Sequence, residues 1–240
     1  MANRGISNSG KGNNKSAGGT RSASAVQARK QSIADAVIEI LAQEGARRLT
    51  HRRIDSYLGL PEGATSYHYP KRIDLLKAGF IKLFEDGVDE FKRCYKPLLE
   101  KIDFGETIDI DLMAACADKQ WRSVTLPANR DLAIARLEFY LLAHHDAAFH
   151  DFQTKLRKGF FELTTRIFAE LGCKNPKRAS AEFSSRMQGD YISRVLSLSF
   201  VDRPRSKEYF GKLIRQTIEE NDTGATDRGA STGHAMLLAI

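Results

Sequence analysis

Residues 5–12 carry the glycines and the lysine that a phosphate-binding loop would need. The run from Gly5 to Lys11 fits most of the G-x-x-x-x-G-K-[ST] pattern, but Gly12 occupies the position of the hydroxyl that binds Mg²⁺. No predicted strand precedes the run and no amphipathic helix follows it at once, so a phosphate cradle would have no scaffold. The sequence therefore argues against nucleotide binding.

A second cluster with reactive side chains contains His144, His145 and Asp146, followed closely by His150. Adjacent residues on a helix point about 100° apart, so they do not chelate a metal as an i, i+4 histidine pair does. His145 could bridge a helix corner to His150, but a solvated corner between two helices explains the cluster better. We predict neither a metal nor a cofactor.

The remaining candidates for catalysis are weak. A general base at His144 would define a helical enzyme, but the sequence has no nucleophile elbow, no H-E-x-x-H motif and no paired-carboxylate signature. Cys94, Cys116 and Cys173 stand far apart, which favours small apolar side chains over a disulfide framework or a redox sensor. We predict that the protein is not an enzyme.

Residues 50–68 have the composition and spacing of a helix-turn-helix that reads DNA. Thr50–Leu58 predicts a short helix, Gly59 and Leu60 a tight turn, and Pro61–His68 a second short helix. Small residues on the second helix let its backbone approach base edges, and hydroxyl groups can hydrogen-bond to them. The predicted contacts with bases and phosphates are Thr50, His51, Arg52, Gly63, Ala64, Thr65, Ser66, Tyr67, His68, Lys71 and Arg72. The alternative is a helical subdomain that only packs on the rest of the chain.

The distribution of charge agrees with a polyanionic partner for the N-terminal third. Residues 1–80 contain 13 Lys and Arg against 6 Asp and Glu, whereas residues 81–240 contain 24 of each. The whole net charge of +7 therefore lies in the first third of the chain. A basic disordered tail would also contribute to it, because residues 1–30 hold six basic residues and no acid.

Apolar periodicity predicts an all-α protein with an N-terminal three-helix helix-turn-helix domain followed by a larger helical bundle. Residues 1–23 are predicted to be a disordered basic tail, residues 24–72 the DNA-binding domain, residues 73–221 the effector-binding and dimerisation domain, and residues 222–240 a flexible tail. No apolar run reaches the roughly 18 residues of a membrane span, and no secretory signal is recognisable. We therefore predict a cytoplasmic protein without a membrane partner.

The sequence resembles the tetracycline-repressor-like (TetR) family of transcriptional regulators between about Arg29 and Ala78. The matching positions are Ile33, Ala36, Leu41, Gly45, Leu49, Thr50, Ile54, Leu58, Gly59, Leu60, Gly63, His68, Tyr69, Pro70, Arg72, Leu75 and Leu76. Four positions depart from the family pattern: Asp55 replaces a small residue, Glu62 a frequent lysine, Ser66 a tyrosine, and Tyr69 a phenylalanine. The spacing of the turn and of the apolar positions is intact.

The resemblance implies a larger domain that dimerises through its last two helices and holds an effector pocket between the others. The predicted dimer positions are Phe183, Met187, Tyr191, Val195, Phe210, Leu213, Ile214 and Ile218, and an intramolecular core is the alternative for them. The candidate effector-binding residues are Trp121, Arg136, Phe139, Tyr140, His144 and Asp190, for which ordinary packing is the alternative.

These observations predict a homodimeric transcriptional regulator that binds double-stranded operator DNA. The resemblance implies a repressor released from a pseudo-palindromic operator by a small-molecule effector, whose identity the sequence leaves open. The alternatives are a nonspecific DNA-architectural protein, whose binding would depend on salt but scarcely on sequence, and a helical enzyme.

Overall fold

The computed structural model describes residues 16–196 and 205–223, and all regular structure in these two ranges is helical. The predicted all-α fold is confirmed. The nine α-helices of the described ranges are α1 (Ser16–Glu44), α2 (His51–Tyr57), α3 (Ala64–His68), α4 (Arg72–Asp103), α5 (Ile110–Val124), α6 (Arg130–His145), α7 (Ala147–Glu170), α8 (Pro176–Val195) and α9 (Lys207–Asp222).

Local sequence signals set the helix ends around the helix-turn-helix. Gly45 ends α1 with a φ of 77°, a left-handed conformation that glycine adopts without steric cost. Thr50 caps α2, since its side chain accepts a hydrogen bond from the Arg53 amide at 3.1 Å. The second helix of the motif begins at Ala64 rather than at Pro61, because Gly63 has a φ of 90° that a helix cannot continue through.

The chain termini lie partly outside the described residues. Helix α1 already begins at Ser16, within the segment 1–23 for which disorder is predicted. Residues 1–15 of that segment lie outside the described part, as do residues 224–240 of the predicted C-terminal tail.

Two apolar cores stabilise the protein, and we call them the N-terminal core and the bundle core. The N-terminal core is built around Ile33, Val37, Leu41, Ile54, Leu75, Phe80, Ala135, Phe139, Ala143 and Phe149. The bundle core is built around Phe91, Tyr95, Leu98, Trp121, Phe160, Phe168, Phe183, Tyr191, Phe210 and Ile214. Helices α4, α6 and α7 contribute to both cores, so α1 and α2 share their core with the bundle.

Gly79 marks the point where α4 crosses α1 most closely. A Cβ atom at this position would lie 2.5 Å from Val37 Cγ1 and 3.1 Å from Phe139 Cζ. Both neighbours are fully buried and cannot move aside freely. The absence of a side chain at Gly79 therefore lets α1, α4 and α6 meet at one point.

We expect Gly79→Ala to lower the free energy of unfolding by about 1–2 kcal/mol, because overpacking at this crossing outweighs the higher helix propensity of alanine. Urea denaturation measures the change. Gly159→Ala is the matched control, since Gly159 also lies within a helix but has no atom within 4 Å of the added methyl group. That control should be neutral or stabilising, and an equal response of both variants would contradict the close crossing.

Candidate DNA-binding surface and effector cavity

The carboxylate of Asp55 joins the two helices of the helix-turn-helix from the inside. It is 3% exposed and accepts hydrogen bonds from the Gly63 amide at 2.9 Å, the Thr65 amide at 2.8 Å and the Thr65 hydroxyl at 2.5 Å. Two of these donors are amides at the start of α3 that no helical carbonyl can satisfy. Asp55 on α2 is thus the cap of α3 and fixes its direction.

The pKa of Asp55 reflects two opposing effects. Burial alone would raise it, but the hydrogen bonds from Thr65 and Gly63 and the nearby His51 ring together hold it below its ordinary value. Asp55 is therefore a carboxylate at neutral pH, the form that accepts all three hydrogen bonds.

Two further side chains hold the loops around this motif. A ring nitrogen of His51 lies 2.7 Å from the carbonyl oxygen of Tyr69, directly after α3. The guanidinium of Arg72 donates to the carbonyl oxygens of Ala46 at 2.9 Å and Leu49 at 3.3 Å, before α2. His51 and Arg72, which were predicted to contact phosphates, thus position the ends of the motif.

The exposed face of α3 presents Ser66 and Tyr67, and Tyr67 has 82% of its surface accessible. Its ring contacts His68 edge-on, with 5.1 Å between the ring centroids. Thr65, by contrast, is fully buried, and its hydroxyl is bonded to Asp55. Of the two hydroxyls predicted to face bases, the structure exposes that of Ser66 alone.

Basic side chains flank this face. Arg47, Arg48, Arg52 and Lys71 are exposed around the motif, as is Thr50 at the start of α2. Arg53 instead forms a salt bridge with Glu44 that ties α2 to α1. The exposed basic groups surround an aromatic side chain on a short helix, an arrangement suited to phosphates on both sides of a groove.

A cavity of about 110 Å³ lies in the bundle core, some distance along α4 from the helix-turn-helix. Helices α4, α5, α6, α7 and α8 each contribute to its wall. The lining residues are Gly87, Phe91, Tyr95, Gln120, Trp121, Val124, Arg136, Phe160, Thr164, Phe183, Ser184, Met187, Gln188 and Tyr191. An apolar cavity with a few polar groups has the composition of a small-molecule site.

Sequence comparison alone finds no relatives: no protein-family model matches the chain, and no curated protein matches it. Solved structures do match. The transcriptional regulator RHA1_ro04179 from Rhodococcus sp. Rha1 has a TM-score of 0.61 at 13% identity, covering 83% of this chain and 99% of its own. The TetR-family member SCO1917 from Streptomyces coelicolor A3 has a TM-score of 0.57 at 20% identity, covering 79% of this chain and 97% of its own. The chain has the TetR-regulator fold.

A third structure with this fold contains a bound small molecule. It is a protein from Saccharomonospora viridis in complex with choline, with a TM-score of 0.58 at 15% identity, covering 81% of this chain and 97% of its own. The identities are all low, so the likeness is one of fold. The resemblance predicted from residues 29–78 is confirmed at that level.

Two of the six candidate effector residues line the cavity of this TetR fold. Trp121 and Arg136 lie in its wall. Tyr140 lines a smaller neighbouring cavity with Arg136, while Phe139 is fully buried in the N-terminal core. The other two lie apart: His144 is exposed at the end of α6, and Asp190 forms a salt bridge with Arg205 at 2.8 Å.

The predicted dimer positions are used within one chain. Phe183, Tyr191, Phe210, Leu213 and Ile214 are buried in the bundle core, and three more pack against it, namely Met187, Val195 and Ile218. The intramolecular alternative thus accounts for the placement of these side chains. The outward surfaces of α8 and α9 are formed by other residues, among them Lys177, Gly189, Lys212 and Arg215.

The structure also describes the histidine cluster, the three cysteines and the apolarity of the helices. In the described ranges, no three His, Cys, Asp or Glu side chains converge on a possible metal position, and His144 contacts His145 through its ring edge. The three cysteines are buried, and burial raises the pKa of the Cys94 thiol to about 11. None of the described helices has the length and apolarity to cross a membrane.

Sequence reasoning missed Asp55 and Gln188. Asp55 was noted only as a departure from the family pattern. An acid eight residues before Gly63 is, however, a possible acceptor for the free amides at the start of the next helix. Gln188 is 6% exposed on an otherwise apolar stretch of the cavity wall. A polar residue at a helix position whose neighbours face the core was the available signal.

Proposed function

We propose that the protein is a transcriptional regulator that reads DNA sequence with α3. The observation that carries this proposal is the rigid presentation of Tyr67, which is 82% exposed on a helix whose start is capped by the buried Asp55. An exposed ring and small side chains on a short, fixed helix can contact base edges, and the second helix of this motif enters the major groove.

Charge placement supports a nucleic-acid partner. The net charge of +7 lies in the first 80 residues, and exposed Arg52 and Lys71 flank α3. Cations beside the recognition helix contact phosphates and fix its register, while side chains on the helix read the bases. A helical enzyme would leave both the localised charge and the capped turn without a purpose.

We further propose that the protein acts as a homodimer through α8 and α9. Two recognition helices about 34 Å apart would fit successive major grooves of a pseudo-palindromic operator. The buried side chains of these helices, such as Phe183 and Phe210, support the pair from inside each protomer. Their outward surfaces would meet around the symmetry axis.

Regulation by a small molecule is the natural use of the cavity. Helix α6 contributes Arg136 to the cavity and Phe139 to the N-terminal core, so it touches both functional regions. A ligand that favours a different α6 position would change the spacing of the recognition helices and release the operator, with a coupling of about 1–3 kcal/mol. The choline bound by the S. viridis protein is a precedent for a small molecule on this fold.

The test is selection of bound sequences from random duplex DNA, followed by affinity measurements at two salt concentrations. Enrichment of a pseudo-palindrome supports the proposal. Binding that falls steeply with salt but enriches no sequence would favour a nonspecific architectural protein. Absence of binding to any duplex would reject a DNA-reading function.

We expect Tyr67→Ala to weaken binding to the selected operator by about 10- to 100-fold, because one good base contact is worth about 1–3 kcal/mol. Because the ring is exposed, we expect no loss of stability, and thermal unfolding checks this. Phe104→Ala is the matched control, since Phe104 is an aromatic residue of 80% exposure beyond the far end of α4. Equal operator affinity of Tyr67→Ala and the unmodified protein would remove Tyr67 from the interface.

A further inference from the structure

The described wall of the cavity in the bundle core carries a positive charge and no negative one. Of the fourteen described residues that line the cavity, Arg136 alone is charged, and no Asp or Glu is among them. Most of the wall is aromatic or aliphatic, with Phe91, Trp121 and Phe183 on three different helices. A single cation in an apolar site favours a ligand of opposite charge.

The guanidinium of Arg136 is held without a counter-ion. Its carbon Cζ lies 5.6 Å from the centre of the Tyr191 ring, a cation–π contact across the cavity wall from α6 to α8. Within residues 16–196 and 205–223, no carboxylate forms a salt bridge with it. The contact with Tyr191 orients the side chain while leaving its hydrogen-bond donors for a ligand.

Gln188 supplies a second donor in the same wall. Its side chain is 6% exposed, and its amide nitrogen Nε2 is buried with no hydrogen-bond partner among the described residues. A buried donor without an acceptor costs free energy, so such a group in a cavity wall indicates a missing acceptor. Gln188 precedes Tyr191 by three residues on α8, which puts the two on one helix face.

A second arginine lies beside the cavity. Arg157 on α7 is 4% exposed and lies over the Tyr140 ring, with 5.5 Å from its Cζ to the ring centre. Together with Arg136 and Tyr140 it lines the small cavity beside the main one. Two arginines on adjacent helices therefore face the same region of the bundle.

We propose that the cavity binds a small organic acid, whose carboxylate is bound by the Arg136 guanidinium and the Gln188 amide. Arginine and carboxylate form short, charge-assisted hydrogen bonds, and an amide N–H can donate a further one. The apolar part of the ligand packs among Phe91, Trp121 and Phe183. This inference rests on the proposed function, since it names the chemical class of the effector.

The volume limits the size of that acid. A closed apolar cavity of about 150 Å³ accepts benzene; the cavity here measures about 110 Å³ but is partly open to solvent, so a single ring with its carboxylate is the largest ligand we expect. The ligand thus has one ring or a short branched chain. Benzoate is a suitable probe, with benzyl alcohol and benzylammonium as neutral and cationic counterparts of similar size.

Trp121 is the single tryptophan of the chain and lines the cavity, so its fluorescence reports occupancy directly. We expect benzoate to bind at least about tenfold more tightly than either counterpart, and Arg136→Gln to remove about tenfold or more of its affinity. Gln188→Leu should weaken benzoate by about 3- to 10-fold. Arg130→Gln is the matched control, because Arg130 is an exposed arginine on the same helix.

Two results would overturn the inference. One is tighter binding of benzylammonium than of benzoate. The other is either no benzoate binding at all or benzoate binding that neither Arg136→Gln nor Gln188→Leu weakens. Circular dichroism checks that both variants fold. If one of them does not fold, the benzoate affinity of the other still tests the proposal. The titration needs no DNA, so its outcome is separate from that of operator selection. If the protein selects an operator but binds no organic acid, the proposed regulatory function stands and the proposed ligand class is wrong.

Discussion

Replacing Asp55 with alanine should weaken operator binding about 100-fold and lower the free energy of unfolding by about 2–4 kcal/mol. The variant leaves the Gly63 and Thr65 amides and the Thr65 hydroxyl without their acceptor inside the motif. Each buried donor left unpaired costs about 1–3 kcal/mol, and α3 has only five residues to offset the loss. If α3 is correctly formed in about 1% of molecules, apparent DNA affinity falls about 100-fold.

Thr65→Val is the informative companion to Asp55→Ala. Valine keeps the shape of threonine and both amide hydrogen bonds to Asp55, and it removes the hydroxyl alone. We expect an intermediate loss, measured by urea denaturation and by DNA binding on the same samples. If Thr65→Val abolished DNA binding at unchanged stability, Thr65 would touch the DNA directly, in contrast to its buried position.

The contribution of Asp55 to the free energy of unfolding should depend on pH. Because its pKa is lowered in the folded protein, the carboxylate contributes stability above its ordinary value of about 3.8 and loses it as the pH falls through the folded-state pKa. The stability difference between the unmodified protein and Asp55→Asn should therefore be largest near neutral pH. It should shrink below about pH 3.8, and a constant difference would mean that Asp55 is not charged in the fold.

Phe139→Ala should destabilise the protein by about 3–5 kcal/mol, the cost of a large cavity in a core. Phe139 is fully buried, with its ring centre 5.5 Å from that of Phe80 and 6.2 Å from that of Phe149. These three rings come from α4, α6 and α7, so the variant weakens the N-terminal core where these helices meet. Circular dichroism during urea unfolding measures the loss.

Leu141→Ala is the control for Phe139→Ala, since Leu141 lies on the same helix and is 58% exposed. It should change the free energy of unfolding by no more than about 0.5 kcal/mol. We expect Phe139→Ala to shift one cooperative transition as a whole. Two separate transitions, of which Phe139→Ala moves only one, would mean that the two cores unfold independently.

Helix positions followed closely from the sequence because strong local signals set them. The corner between two helices predicted around His145 and Asp146 is where α6 ends and α7 begins. Asp146 between them explains this accuracy, since its side chain caps α7 by accepting from the Phe149 amide at 2.9 Å. Such signals act within a few residues and are therefore visible in one sequence.

The cavity was harder to predict because it depends on which faces of different helices meet. Helix α6 has two inward faces: Ala135 and Phe139 belong to the N-terminal core, whereas Arg136 lies in the cavity wall. One residue along a helix is a rotation of about 100°, so Phe139 and Arg136 point to different neighbours. Periodicity marks both faces as inward and does not say what lies opposite.

The same limit applies to the end of the chain. The apolar stripes of α8 and α9 were predicted to pair with a partner subunit, with an intramolecular core as the alternative, and Phe183 and Phe210 are buried against their own chain. A buried apolar stripe has the same sequence pattern whether its neighbour belongs to the same protomer or to another. Helix α9 packs mainly against α5, a neighbour about a hundred residues earlier in the chain.

The shared N-terminal core has a consequence for exchanging parts between regulators of this fold. A chimera joined after residue 72 would carry Val37 and Leu41 into a new protein but leave Phe139 and Phe149 behind. It would also lose the hydrogen bond from the Ala46 amide to Glu138, which spans 3.3 Å from the end of α1 to α6. Helices α1–α3 are therefore not a portable module, and a working graft has to transfer the inward faces of α6 and α7 with them.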